Sequence, residues 1–287
     1  MTGVSDIRLA QGDGGWPTTV AAGSAPGESG VYVLSVKFRG GVHFSATPKQ
    51  HLVWFHLSSP VRFDCCIAGR TLRHQAPSGQ LSICPAGADC AADTDEGLDA
   101  LLIAIDPAYL ALAAAEDSAL DAQLIERFSA VDRRLLEHAR ILALESASNY
   151  PNGPLFWNDV ASGFVGNLVS RHMSEAESRA RGMLGKDVLR RLKEYVVAHL
   201  DEPIEVAALA KIAGRSAFHF SRVFTRSVGM TPHRYVVHLR LQRAKELLRN
   251  ERLGLAEAAA RTGFADQSHL SRWIRRVHGV SPTQLSA

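Results

Sequence analysis

The sequence predicts an α+β chain in which a β-rich N-terminal domain with a helical hairpin precedes an all-α domain with two helix-turn-helix units. Three observations predict it. Ser221, Arg222, Gly229 and Pro232 recur 50 residues later as Ser271, Arg272, Gly279 and Pro282, so one helical module occurs twice. Short apolar runs separated by Gly, Pro and polar turns fill residues 31–105, and helical spacing replaces them after Pro107. Charge divides along a similar line. Residues 188–287 hold 17 Lys and Arg against 8 Asp and Glu, and the preceding residues 15 against 21, although the whole chain is only +3. At 287 residues and 46% hydrophobic composition, both domains can bury cores of their own.

From the start, Met1 to Trp16 contain neither a basic stretch nor an apolar run, and the longest apolar segment stops at Asp106-Pro107, short of bilayer thickness. A cytoplasmic protein with no membrane partner is expected. Four cysteines, with Cys65 and Cys66 adjacent, do not make the pattern of a secreted disulfide framework and are read as reduced thiols. Strand-like runs at Val31–Phe38, Leu52–Leu57, Val61–Ile67, Leu81–Cys84 and Leu101–Ile105 predict a β-barrel or sandwich over about residues 31–106.

Strand alternation puts Val61, Phe63, Cys65 and Ile67 on one face and Arg62, Asp64 and Cys66 on the other. Tyr32, Trp54, His56, Phe63 and Cys65 are the candidate lining of an effector pocket, and each would serve equally as core. Catalysis here would need an activated metal or an acid–base pair. His43, His51, His56, His74 and the cysteines are too scattered to supply one, so a binding module with no metal and no cofactor is expected rather than an enzyme. The competing reading is a metal- or thiol-dependent sensor, or an enzyme, fused to the second domain.

Helices follow. Residues 132–148 present Leu135, Leu136, Ala139, Leu142 and Ala143, and residues 155–172 present Trp157, Val160, Ala161, Phe164, Val165 and Leu168. Asn149-Tyr150-Pro151-Asn152-Gly153-Pro154 turns them into an antiparallel hairpin, and the polar stretch 174–186 reads as a linker. In the first module Val206, Leu209, Ala210 and Ala213 form a support helix, Gly214 ends it, and Ser216 caps a second helix with Phe220 and Phe224 inward. Thr231-Pro232 starts a spacer helix that carries Val237, Leu241, Ala244 and Leu248. To Asn250 it spans roughly 27 Å, near the roughly 34 Å turn of B-DNA. In the second module Leu255, Ala258, Ala259 and Thr262 lead to Gly263, and Leu270, Ile274 and Val277 anchor the last long helix. Up to Gly263 the offset is 49, so the one-residue difference falls in the corner.

A helix-turn-helix lays its second helix in the major groove, and the basic excess suits a polyanion, so double-stranded DNA is the expected partner. Arg215, Ser216, His219, Arg226, Arg275 and Arg276 are the candidate phosphate contacts. Taken singly, Arg226, Arg240, Arg243, Arg249, Arg275 and Arg276 could equally be solvated helix faces. His219 and His269 are repeat-equivalent, but two helices aimed at different grooves would not converge on a metal.

Residues 263–272 (Gly-Phe-Ala-Asp-Gln-Ser-His-Leu-Ser-Arg), followed by Gly279-Val280-Ser281-Pro282, closely resemble the signature of AraC/XylS-type transcription regulators. With Gly229-Met230-Thr231-Pro232 the resemblance covers about the last 100 residues. It implies sequence-specific DNA binding by both modules, with base contacts at Phe218, Ser221 and Arg222 in the first and Gln267, Ser268, His269 and Arg272 in the second. Arg and Gln have bidentate geometry for guanine and adenine edges, which singles out Arg222 and Gln267. The chain departs from the family pattern at Leu270 and Ile274, where phenylalanine is usual, and at Leu285-Ser286, where an aromatic residue and arginine are common. Gly79, Pro85 and Gly87 also resemble the second cupin motif, with Cys90 where metal-dependent cupins place histidine. The two resemblances together imply a cupin-like sensor and dimerisation domain at 1–173 (barrel about 31–106, helices about 107–173), a linker at 174–186 and a DNA-binding domain at 187–287 with helix-turn-helix units at 205–228 and 255–278. They further imply activation, contact with RNA polymerase, a small-molecule effector, and a homodimer whose hairpin seam would use Trp157, Phe164 and Leu168.

Overall fold

The computed structural model describes residues 18–24, 30–58, 60–116, 123–174 and 183–286. They divide into two compact units, one of residues 18–24, 30–110 and 124–174, the other of residues 183–286 with 111–116 and Gln123. Most of the expected linker, 175–182, lies outside the described residues, as does the whole segment before Thr18.

The first unit runs β1 (Thr18–Ser24), β2 (Val31–Phe38), β3 (Val42–Ala46), β4 (His51–His56), β5 (Val61–Ile67), β6 (Arg70–Ala76), β7 (Gln80–Cys84), β8 (Cys90–Thr94) and β9 (Leu98–Ile105). Next in the chain come α1 (Pro107–Glu116) and β10 (Gln123–Leu124), which the division between the units cuts, and then, within the first unit, β11 (Arg127–Val131), α2 (Arg133–Ala147), α3 (Gly153–His172) and β12 (Met173–Ser174). Two antiparallel sheets result, one ordered β1-β2-β9-β4-β7-β11 and the other β3-β8-β5-β6, with β10 and β12 forming a separate short pair. The expected barrel is not closed: among the described residues no ladder joins the two large sheets, which meet through side chains instead. Phe44, Ile67 and Cys90 of the smaller sheet pack against Leu52, Cys84, Leu102 and Ala104 of the larger, as the inner faces of a sandwich do.

The strands beyond those the sequence predicts are β3, β6 and β8 of the smaller sheet, β1 and β11 at the two edges of the larger, and the short β10 and β12. β6 is exposed along most of its length, so it lacks the apolar rhythm of a half-buried strand. Its register is set by the hairpin turn at Ala68 and Gly69, whose φ values of 50° and 76° suit a tight two-residue loop. β9 is different. It sits inside the larger sheet between β2 and β4 and is buried on both faces, which explains its unbroken apolar run.

The hairpin covers the outer face of the larger sheet. Asp132 caps α2 by accepting from Leu135 N at 3.2 Å, and Ser148 ends it, as the sequence implies. The turn holds Asn149 and Tyr150 at φ 58° and 59°, and the buried Glu145 carboxylate accepts from Asn152 N (3.3 Å) and Nδ2 (2.6 Å). α2 lies on β1, β2 and β9, and Phe164 of α3 meets Phe55 of β4 edge-on at 6.2 Å. This corrects the expected seam. Trp157, Phe164 and Leu168 are each 0% exposed within the single chain, and Trp157 Nε1 donates to Leu142 O and Ser146 Oγ. They are core. The large apolar side chains that face solvent on the hairpin are Ile141, Leu144 and Phe156.

The second unit is helical: α4 (Lys186–Ala198), α5 (Val206–Ile212), α6 (Ala217–Val228), α7 (Pro232–Arg249), α8 (Leu255–Arg261), α9 (Gln267–His278) and α10 (Pro282–Ser286). α5–α6 and α8–α9 each form a corner that packs on α7. Their repetition extends to backbone detail. Gly214 and Gly263 end the support helices at φ 63° and 68°, and Gly229 and Gly279 end the following helices at 75° and 67°. Ser216 caps α6 through His219 N, and Asp266 caps α9 through His269 N. The first cap stands two residues beyond its glycine and the second three, so the extra residue lies in the second corner, where Phe264 is buried. Leu270, Ile274 and Leu285 fill the core at positions where larger side chains were expected. No helix among the described residues is long and apolar enough to cross a membrane.

Candidate nucleic-acid interface and inter-sheet pocket

Helical periodicity splits α6 and α9 into a core stripe and a solvent stripe. Phe220, Val223, Phe224 and Val228 of α6 and Leu270 and Ile274 of α9 point inward, with Phe224 against Tyr235 of α7 at 5.4 Å. On the outer side Phe218, Arg222, Gln267, Ser268 and Arg272 are exposed, whereas Ser221 and His269 are half-buried. Phe218 is 76% exposed, an unusual position for an apolar ring, and the Arg222 guanidinium lies 6.0 Å from its centroid. Ser221 Oγ donates to Ala217 O, which leaves it an acceptor only. His269 Nε2 accepts from Trp273 Nε1 at 3.0 Å, which leaves Nδ1 for a ligand.

The cations separate into two groups. Arg240 Nη2 donates to Glu202 O at 2.6 Å, Arg243 bonds Glu246 and Glu251, and Arg261 bonds Glu257. These are tied to the fold. Arg222, Arg226, Arg272 and Arg275 are exposed and form no ion pair among the described residues. Arg215 bonds His219 at 3.1 Å on an exposed surface beside the Ser216 cap, and Arg276 lies over the Trp273 ring at 5.3 Å. Arg243 and Arg261 meet Glu246 and Glu257 at helical spacing within their own helices, whereas the carbonyl that holds Arg240 comes from a turn far away in the sequence.

Two helix-turn-helix corners on one spacer helix, each second helix presenting polar and unpaired cationic side chains, define a module built to place helices in the major groove. Residues 209–287 match the protein-family model described as a helix-turn-helix domain. Over 93 residues, 32% of this chain and 38% of the relative, the sequence is 37% identical to the probable transcriptional regulator LumQ of Photobacterium leiognathi. It is 30% identical over 109 residues to the transcriptional activator RhaS of Enterobacter sp. strain 638, covering 38% of this chain and 39% of the relative. A solved transcriptional regulator with an AraC-type DNA-binding domain, from Chromobacterium violaceum, is 25% identical, with a TM-score of 0.34, and covers 35% of this chain and 90% of that one. The chain thus spans about two fifths of the length of these curated relatives. Its C-terminal domain is a helix-turn-helix domain.

The first unit contains a pocket between its sheets. Trp54, His56, Phe63 and Cys65 line it as expected from alternation, joined by Phe38, Phe44, His74, Gln80, Ser82 and Cys84. Tyr32 does not line it. That ring is half-buried at the end of β2 and packs against the Leu52–Leu102–Ala104 cluster, because alternation fixes the face of a strand but not how far along it a cavity opens. Gln80, Ser82 and Cys84 share one face of β7, a period-two signal present in the sequence.

Burial, with neighbouring carboxylates, pushes the Cys65 thiol up to about 12. The neighbouring Cys90 thiol, with burial, raises Cys84, whose Sγ donates to Ala88 O at 3.6 Å. The turn that resembles a cupin motif carries the chain from β7 to β8, and so from one sheet to the other. His51 Nδ1 accepts from Ala86 N at 3.0 Å to hold it, and burial drives His51 down to about 4 despite the nearby Asp106 carboxylate. Among the described residues no three His, Cys, Asp or Glu side chains gather as a metal site.

Proposed function

We propose that the chain is a sequence-specific, DNA-binding transcription regulator of the activating kind, whose first unit is a cupin-like sensor for an effector or partner. The observation that carries this reading is the pair of α6 and α9 surfaces, where exposed Arg222 and Arg272 form no ion pair among the described residues and Gln267 is exposed beside them on repeat-equivalent helices. Phe218, Ser221, Arg222, Gln267, Ser268, His269 and Arg272 meet base edges, and Arg215, Ser216, His219, Arg226, Arg275 and Arg276 meet phosphates. Residues 1–173 sense, 174–186 link and 187–287 read DNA. An effector acts by binding one arrangement of the chain better than another. RNA polymerase is the partner through which activation would run.

Homodimerisation through the hairpin is retained in this proposal with a different face, since Ile141, Leu144 and Phe156 are the large apolar groups still open to solvent there. Selection of binding sites from random duplex DNA, followed by titration of Arg222→Ala and Gln267→Ala at fixed salt, tests the reading. Each substitution should cost about 1 to 3 kcal/mol at one base position, and unchanged affinity for both would remove the assignment. A thiol-dependent sensor is the second reading, favoured by the two thiols of Cys84 and Cys90 that both line the pocket.

A further inference from the structure

The pocket between the sheets has a cavity volume of about 100 Å³ and opens to solvent, the scale of one small aromatic molecule. Among the residues that line it there is no Lys, Arg, Asp or Glu. An ionised ligand would lose its hydration there without gaining a counter-charge. Its walls are rich in aromatic rings: Phe44 stands edge-on to Trp54 at 5.4 Å, and Phe63 stands edge-on to His56 at 5.7 Å and stacked with His74 at 6.3 Å. Such walls favour a flat π-system.

The polar groups of the wall have a definite sense. Gln80, only 3% exposed, places its Nε2 2.8 Å from His74 Nε2 and 3.3 Å from Phe128 O. The carbonyl identifies the amide nitrogen as donor, so His74 Nε2 is the acceptor and the imidazole is neutral; burial lowers its proton affinity in the same direction. Ser82 Oγ also spends its proton on Phe128 O, at 2.8 Å. On β7 what remains for a ligand is Gln80 Oε1 and the lone pairs of Ser82 Oγ, both acceptors, while the neutral His74 keeps its proton on Nδ1. We propose that this pocket takes an uncharged, planar aromatic molecule carrying a hydroxyl or N–H donor, which bonds Gln80 Oε1 or Ser82 Oγ. The inference rests on the sensor reading of the first unit and names the ligand class of that site.

Calorimetric titration of the full chain with naphthol, naphthalene and naphthoate tests it. Naphthol should bind once per chain, naphthalene about tenfold more weakly for want of the donor, and naphthoate not measurably. In the double variant Gln80→Leu, Ser82→Ala, shown by its melting curve to be folded, the preference for naphthol over naphthalene should vanish. Ala92→Leu, which narrows the cavity without removing a polar group, should weaken both. Naphthoate binding as tightly as naphthol, or no binding by any of the three, overturns the proposal while leaving DNA recognition by α6 and α9 intact. Naphthol binding without any change in affinity for a selected DNA site would support the ligand class and remove only the effector's control of DNA binding.

Discussion

Replacing the two repeat-equivalent glycines by alanine should give different costs, because only one of them is crowded. Gly214 and Gly263 share a left-handed backbone, with φ 63° and 68°, so either alanine pays about 1 kcal/mol of strain. A Cβ on Gly214 would meet nothing within 4 Å, whereas one on Gly263 would collide with Leu200 O and come within 2.6 Å of Arg240 Nη2. Leu200 O is backbone and cannot swing aside. Moving Arg240 breaks its bond to Glu202 O, a charge-assisted contact of about 1.5 to 3 kcal/mol. Gly214→Ala should therefore cost about 1 kcal/mol and Gly263→Ala about 3 to 4. Urea unfolding of the full chain, with hydrogen exchange followed on the amides of α5–α9, measures both. Equal losses would refute the argument that the second corner is closed over by α7 and the segment after α4.

Further outcomes follow from other parts of the chain. Removing a phosphate contact by Arg226→Ala or Arg275→Ala should weaken binding to all duplexes alike and lower the slope of log affinity against log salt by about 1 for each, as read from salt titrations. His51 is held neutral, with its folded value near 4 below the usual 6.5, so the unfolded chain takes up the proton first as pH falls. Its contribution is intact above about 6.5 and is lost progressively down to about 4, by up to roughly 3 kcal/mol; His51→Gln should flatten that part of the stability-against-pH curve. Phe164→Ala should destabilise the fold by about 3 to 5 kcal/mol in chemical unfolding. Leu144→Asp should leave the fold intact and shift the mass seen by light scattering from dimer to monomer, and an unchanged mass would take that face out of the interface.

The parts legible in the sequence are those governed by local rules. Caps at Asp132, Ser216 and Thr231 and left-handed glycines at 214, 229, 263 and 279 fix where helices begin and end within a few residues, so the helix-turn-helix units and the hairpin could be read directly. What escaped depends on long-range pairing. β3 and β8 are short and β6 is mostly polar, and the three become strands only through one another and β5. α3 is apolar on more than one side, so periodicity could not tell the residues facing the sheet, such as Phe164, from those facing outward, such as Phe156. Among the arginines, the difference between Arg222 and Arg240 arises from a carbonyl 38 residues away in the chain.

Consecutive residues of β4 face opposite ways: Trp54 looks into the inter-sheet cavity, while Phe55 presses on Phe164 of the hairpin. Only the thickness of one peptide plane separates the two compartments. The cavity wall and the helical layer are therefore built from neighbouring residues of a single strand.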